Sequence, residues 1–203
     1  KTHGIKIGTI ESLIHYRSEN ETLINRVGER PVKLAQGSFR LVMFRDAIAH
    51  APHLAVVHRQ PCPGQEVLVR VHEPLNVLDL LGGASPGHSW PLDKALEAIA
   101  AFEGAGVVVL LNVAQNADSV FERFDACLAA DRGDTGTLRA LRRGAKTDLR
   151  TYGIGAQILR DLGVRKMRLL SNPRKMPSMS GFDLEVLGFL THVKGEERGS
   201  RGI

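Results

Sequence analysis

Arginine and histidine occupy most of the positions in this chain whose type and spacing could do chemistry. Arg139, Arg142, Arg143 and Lys146 recur at helical spacing. Cations on one helix face can grip phosphate oxygens, although a solvated surface face shows the same pattern. His50, His53 and His58 stand close together in sequence, as metal ligands often do. On a strand, however, His50 and His53 would point to opposite sides, so the trio makes a poor cage. Cys62 and Cys127 lie far apart in no ligand spacing, which fits a reducing compartment better than a disulfide framework. Arg70 and His72 end an alternating apolar segment, and Asp148 and Arg150 open a helical one. The planar donors of an arginine match phosphate oxygens bidentately. The plainer alternatives are a solvated strand end, a hydrogen-bonded histidine, a carboxylate complementing a helix dipole and a surface cation.

The elements that must position these side chains follow from hydrophobic periodicity. Glu66 to His72 alternates Val67, Val69 and Val71 with other residues, as a strand should. Asp93 to Glu103 carries Ala95, Leu96, Ile99 and Phe102 on one helical face, with Gly104 and Gly106 to stop it. Gly106 to Asn112 is a continuous apolar run, expected as a buried strand. Helices are expected over Ala117 to Asp131, ending near Gly133, and over Asp148 to Leu162, ending at Gly163. Arg165 to Leu170 and Leu184 to Leu190 then close the sheet. The pattern predicts an α/β fold, a mixed β-sheet covered by helices.

At 203 residues and 22.2 kDa the chain suits one medium domain plus an appendage. The formal charge of +5 favours anionic partners, phosphates among them. Nucleic acid is not an expected partner, because aromatics, at 5 %, are too sparse to interleave with the basic residues. No membrane partner is expected either, since no apolar run approaches the roughly 20 residues of a membrane span. There is no signal-peptide pattern, and a cytoplasmic location is expected. The first residue is Lys1 rather than Met, so the sequence reads as a fragment of a longer protein.

Arg70 to His88, RVHEPLNVLDLLGGASPGH, resembles the zinc loop of the GTP cyclohydrolase II family, R-V-H-S-E-C, then G-D, then C-D-C-G. Arg70, Val71, His72, Asp79 and Gly82 match it, whereas the three cysteine positions fall on Leu75, Pro86 and His88. A catalytic zinc needs about four ligands, or three plus water, to make hydroxide at neutral pH. Leucine and proline cannot ligate, so the expectation is a domain without zinc and without other cofactors. Asp148 to Asn172 resembles the family's D-x-R-x-[YF], helix, L-G and R-L-L-T-N-N-P series. The resemblance extends over nearly all of residues 32–190 and implies a GTP cyclohydrolase II-like fold. It places Asp148 and Arg150 at the catalytic D-x-R pair on the phosphate side. It also places Arg70, Ser171 and Lys175 in the nucleotide site.

Further positions depart from the family. The phosphate-gripping Q-E-G-R-G segment reads VAQNA near Val113 to Ala117, a tyrosine position is Cys127, and T-N-N-P has shortened to Ser171-Asn172-Pro173. Residues 1–31 resemble instead the closing segment of 3,4-dihydroxy-2-butanone-4-phosphate synthase, with Thr9 as helix N-cap and Ile10, Leu13 and Ile14 as an apolar stripe, followed by a charged connector. The implied organisation is a synthase tail plus linker over 1–31, a cyclohydrolase-like domain over 32–193 and a disordered tail over 194–203. Magnesium is expected only in a synthase segment upstream. The implied role is a catalytically degenerate domain, structural or regulatory, with its own synthase domain and a homodimer mate as partners. The alternatives are a regulatory module binding GTP or another phosphate ligand, and an active cyclohydrolase releasing formate and pyrophosphate from GTP.

Overall fold

In a computed structural model of the protein, the residues described are 21–73, 89–111, 149–173 and 179–192, with scattered positions from 9 to 16 and from 125 to 136. Seven strands form one sheet: β1 (Ile24–Leu34), β2 (Gly37–Asp46), β3 (Pro52–His58), β4 (Glu66–His72), β5 (Gly106–Leu110), β6 (Lys166–Leu170) and β7 (Glu185–Leu190). Their spatial order is β1-β2-β3-β5-β4-β6-β7. The first three form an antiparallel meander, and β3 pairs antiparallel with β5. From β5 onward every pairing is parallel. The fold is α/β with a mixed sheet, as the periodicity predicts.

Two helices cover the two faces. Helix α1 (Leu92–Ala101) buries Ala95, Leu96 and Ile99 against Val56, Leu68, Val108 and Leu110. Helix α2 (Leu149–Asp161) lays Ile154, Ile158 and Leu159 on the opposite face, against Val67, Val69, Val107 and Val109. Strands covered on both sides read as continuous apolar runs, and all five residues of β5 are buried. Tight backbone approach explains Gly106. A Cβ there would meet Ile99 Cγ2 at 2.5 Å.

Helix α2 stops where a glycine is expected. Gly163 has φ +91°, its N–H donates to Arg160 O at 3.0 Å, and Val164 N–H donates to Leu159 O at 3.0 Å. That pair of bonds is a Schellman cap, and its left-handed residue favours glycine. Of the helix expected over Ala117 to Asp131, Asp125, Leu128 and Ala129 are described and are helical. Asp134 N–H donates to Ala129 O at 2.9 Å around Gly133, whose φ is +94°. Thr9 caps as expected. Its Oγ1 accepts from Ser12 N–H, and Ser12 Oγ accepts from Thr9 N–H, each at 3.0 Å.

One expectation is corrected. The charged stretch read as a connector ahead of a domain starting near Val32 is sheet strand from Ile24 onward. β1 is an edge strand, and of its eleven residues only Ile24 is buried. It therefore shows no apolar alternation. A register shift between Arg26 and Gly28 breaks its period further. Among the described residues, no helix is long and apolar enough to cross a membrane.

Candidate functional site

β4 lies at a switch point. Its parallel neighbours β5 and β6 flank it on opposite sides, and the helices α1 and α2, which precede β5 and β6 in the chain, lie on opposite faces of the sheet. Crevices that take ligands in open α/β sheets form outside the carboxyl ends of strands at such points. Here those ends are His72, Leu110 and Leu170.

Arg70 reaches this place from the α1 face. It alternates along β4 with Val69 and Val71, which pack toward α2, and so shares its face with Leu68. The side chain is 6 % exposed. Its Nη1 donates to Leu170 O at 2.9 Å and its Nη2 to Trp90 O at 3.2 Å. The guanidinium thus ties the end of β6 to the turn that leads into α1. Nη2 also stands 3.4 Å from His72 Nδ1. A guanidinium can only donate, so in that contact the ring nitrogen stands as the acceptor. His72 is 1 % exposed and behaves as a core histidine.

Trp90 extends the cluster. Its indole Nε1 donates to Leu190 O at 2.8 Å, and its ring meets that of His192 edge-on at 5.0 Å between centroids. Carbonyls from β6 and the α1 turn, and the end of β7, are thereby joined through one arginine and one tryptophan. Neither Trp90 nor His192 was expected from the sequence. Trp90 is the single tryptophan of the chain, and that was the one signal that could have marked it.

Of the residues expected at the site, Arg70 and Ser171 come to the same end of the sheet. Ser171 directly follows β6 and is buried, and its Oγ donates to Asn172 O at 3.0 Å. Arg150 lies in the first turn of α2. That turn lies toward the same end, since a Cβ placed on Gly155, further along α2, would stand 3.8 Å from Leu111 Cδ1 and 3.9 Å from Val71 Cγ1. Asp148 and Lys175 fall outside the described residues, as do Leu75, Pro86, His88, Cys127 and the 113–117 segment. The histidine trio does not assemble. His53 is fully buried opposite Phe44, His50 sits in the turn after β2 with φ +56°, and His58 packs on Phe39 at 5.5 Å. Among the described residues, no group of three or more His, Cys, Asp or Glu side chains could hold a metal ion. Cys62 is an exposed free thiol.

What this arrangement can do chemically is limited by where its donors point. Arg70 turns Nη1 and Nη2 onto main-chain carbonyls and so braces the crevice, and an anion gripped by those same nitrogens would compete with the two bonds.

Comparison with known proteins agrees with this topology. The GTP cyclohydrolase II family model matches residues 25–191. A 3,4-dihydroxy-2-butanone 4-phosphate synthase of Neisseria meningitidis serogroup B is 42 % identical over 188 residues, covering 92 % of this chain and 48 % of the relative. The riboflavin biosynthesis protein RibBA of Aquifex aeolicus is 37 % identical over 189 residues, covering 92 % of this chain and 46 % of the relative. Among solved structures, RibBX of A. baumannii, a two-domain 3,4-dihydroxy-2-butanone 4-phosphate synthase, aligns at TM-score 0.59 and 35 % identity over 94 % of this chain and 47 % of its own. The chain spans about half the length of the curated relatives it matches. With the family pattern running from the first strand to the last, the chain belongs to the GTP cyclohydrolase II family.

Proposed function

We propose that this is a cyclohydrolase-II-like domain that no longer carries out cyclohydrolase chemistry. In this reading it serves the assembly, stability or regulation of a 3,4-dihydroxy-2-butanone-4-phosphate synthase domain ahead of it in the same cytoplasmic riboflavin-biosynthesis protein. The observation that carries the proposal is the residue identity at the family's three cysteine positions, Leu75, Pro86 and His88. Opening a guanine ring hydrolytically requires an activated water, and a zinc hydroxide needs a set of N or S ligands that leucine and proline cannot supply. Arg70 supports the same reading, because its Nη1 and Nη2 are turned onto Leu170 O and Trp90 O. The relatives named as synthases rather than as RibBA agree with it as well.

The test has two arms. Purified, metal-analysed protein is incubated with GTP, magnesium and added zinc, and formate and pyrophosphate are measured. The expected result is no release above background. Zinc-dependent release of both would overturn the proposal in favour of an active cyclohydrolase. In the second arm, synthase turnover is compared in the longer protein with and without this domain, and removal of the domain is expected to lower it or shorten its thermal half-life.

A second reading is favoured by the meeting of Arg70 and Ser171 at one switch point. It is a regulatory module that binds GTP or another phosphate ligand without turnover through Arg70, Asp148, Arg150, Ser171 and Lys175. Calorimetric titration separates the two. Saturable binding that Arg150→Ala weakens supports the module, and no heat at millimolar GTP supports a purely structural role.

A further inference from the structure

The polypeptide enters the sheet through a polar clamp on α2. Gln157, midway along that helix, is 8 % exposed, and its helix neighbours Ile154 and Ile158 belong to the core. Its Oε1 accepts from Leu23 N–H at 2.8 Å, and its Nε2 donates to Glu21 O at 2.9 Å. One amide thus offers an acceptor and a donor to alternate residues of an extended segment, as a neighbouring strand would. From the other side, Leu23 O accepts from Ala47 N–H in the β2–β3 turn at 2.9 Å. The Leu23 side chain lies over Gly153, where a Cβ would come within 3.2 Å of Leu23 Cδ1. Arg26 and Asp161 add a surface ion pair at 3.1 Å between β1 and the end of α2. Leucine at 157 would fill the helix face equally well, and a buried amide is retained against its desolvation cost only if its bonds are made. Segment 21–23 is the group that makes them.

We propose that Gln157 is the joint by which this domain holds the polypeptide preceding its sheet in a fixed position, with α2 as the element that carries the load. The joint stands on its own geometry, and its use as a brace for a preceding synthase domain rests on the function proposed above. Helix α2 suits that use. Gly155, two residues before Gln157, faces Leu111 and Val71 at the switch-point end, so the clamp and that end share one rigid element.

Amide hydrogen exchange tests the joint directly. Gln157→Leu keeps the apolar helix face and removes both bonds. The Leu23 amide is expected to exchange at least about tenfold faster, with the Val69 and Val108 amides unchanged. Unchanged exchange at Leu23, or parallel acceleration throughout the sheet, would overturn the joint. Gln157→Glu keeps an acceptor for Leu23 N–H and offers no donor to Glu21 O. It is expected to fall between the two, and wild-type behaviour would overturn the two-sided clamp. In the longer protein, Gln157→Leu is then compared with removal of the whole domain. If removal impairs the synthase and Gln157→Leu does so partly, the brace passes through this joint. Impairment by removal alone overturns the brace and leaves the proposed function standing. If removal has no effect, the proposed function fails while the exchange data still decide the joint.

Discussion

Arg70→Met offers the sharpest separation between a structural and a ligand-binding arginine. Methionine keeps the apolar stem within the α1-side core and deletes the guanidinium. Leu170 O and Trp90 O then lose charge-assisted donors at 2.9 and 3.2 Å in a place where the side chain is 6 % exposed. Hydrogen bonds from charged groups contribute about 1.5–3 kcal/mol each, so the loss is about 3–5 kcal/mol once partial water access is allowed for. For a chain of this size about 2–4 °C of Tm accompanies each kcal/mol, giving a fall of roughly 6–20 °C. Arg70→Lys can restore one donor and should recover about half of that loss. Urea denaturation monitored by far-UV circular dichroism, with calorimetric Tm as a check, measures both variants. A Tm within about 2 °C of the parent for Arg70→Met, a change of less than about 1 kcal/mol, would refute the reasoning. Arg70 would then be available to a ligand, and the phosphate-binding reading would gain.

Other perturbations follow from the same contacts. Gly106→Ala drives a Cβ to 2.5 Å from Ile99 Cγ2 and should destabilise by about 1–3 kcal/mol through overpacking. Gly155→Ala meets its neighbours only at 3.8 Å or beyond and should leave stability unchanged or raise it by up to about 1 kcal/mol through helix propensity. Paired denaturant melts check both, and equal losses would show that Gly155 matters here for another reason. Asp46 is buried and accepts from Ile48 N–H and Ala49 N–H, each at 2.7 Å. Asp46→Ala should cost about 2–3 kcal/mol in the same melts, with Asp46→Asn recovering part of it. Trp90→Phe removes the donor to Leu190 O, and a loss of about 1 kcal/mol is expected by the same assay.

The parallel half of the fold was legible because burial on both faces writes itself into the residues. Glu66 to His72 matches β4 end to end, and Gly163 marks the end of α2. Strand β1 was not legible, since an exposed edge needs no apolar period and its bulge at Val27 and its Pro31 break one. At the site, the type and place of Arg70 were readable but its partners were not. Those are the main-chain carbonyls of Leu170, 100 residues away along the chain, and of Trp90, 20 residues away, and carbonyls carry no residue-specific signal. Gln157 escaped for a similar reason. A glutamine in a helix is ordinary, and only the approach of residues 21 and 23 gives it a task.

The strand order also dictates a sequence of events during folding. β1, β2 and β3 can zip together as soon as they leave the ribosome, because each hairpin closes over a short turn. β4 follows them in the chain yet has no seat beside β3. That slot belongs to β5, which pairs with both. Until α1 and β5 have been synthesised, β3 keeps an open apolar edge of Leu54, Ala55, Val56 and Val57, and β4 waits unpaired. Non-local parallel pairing of this kind is slow, and exposed edges are where chains misassociate. Insertion of β5 is therefore the step that closes the edge of β3 and gives β4 its neighbour on that side.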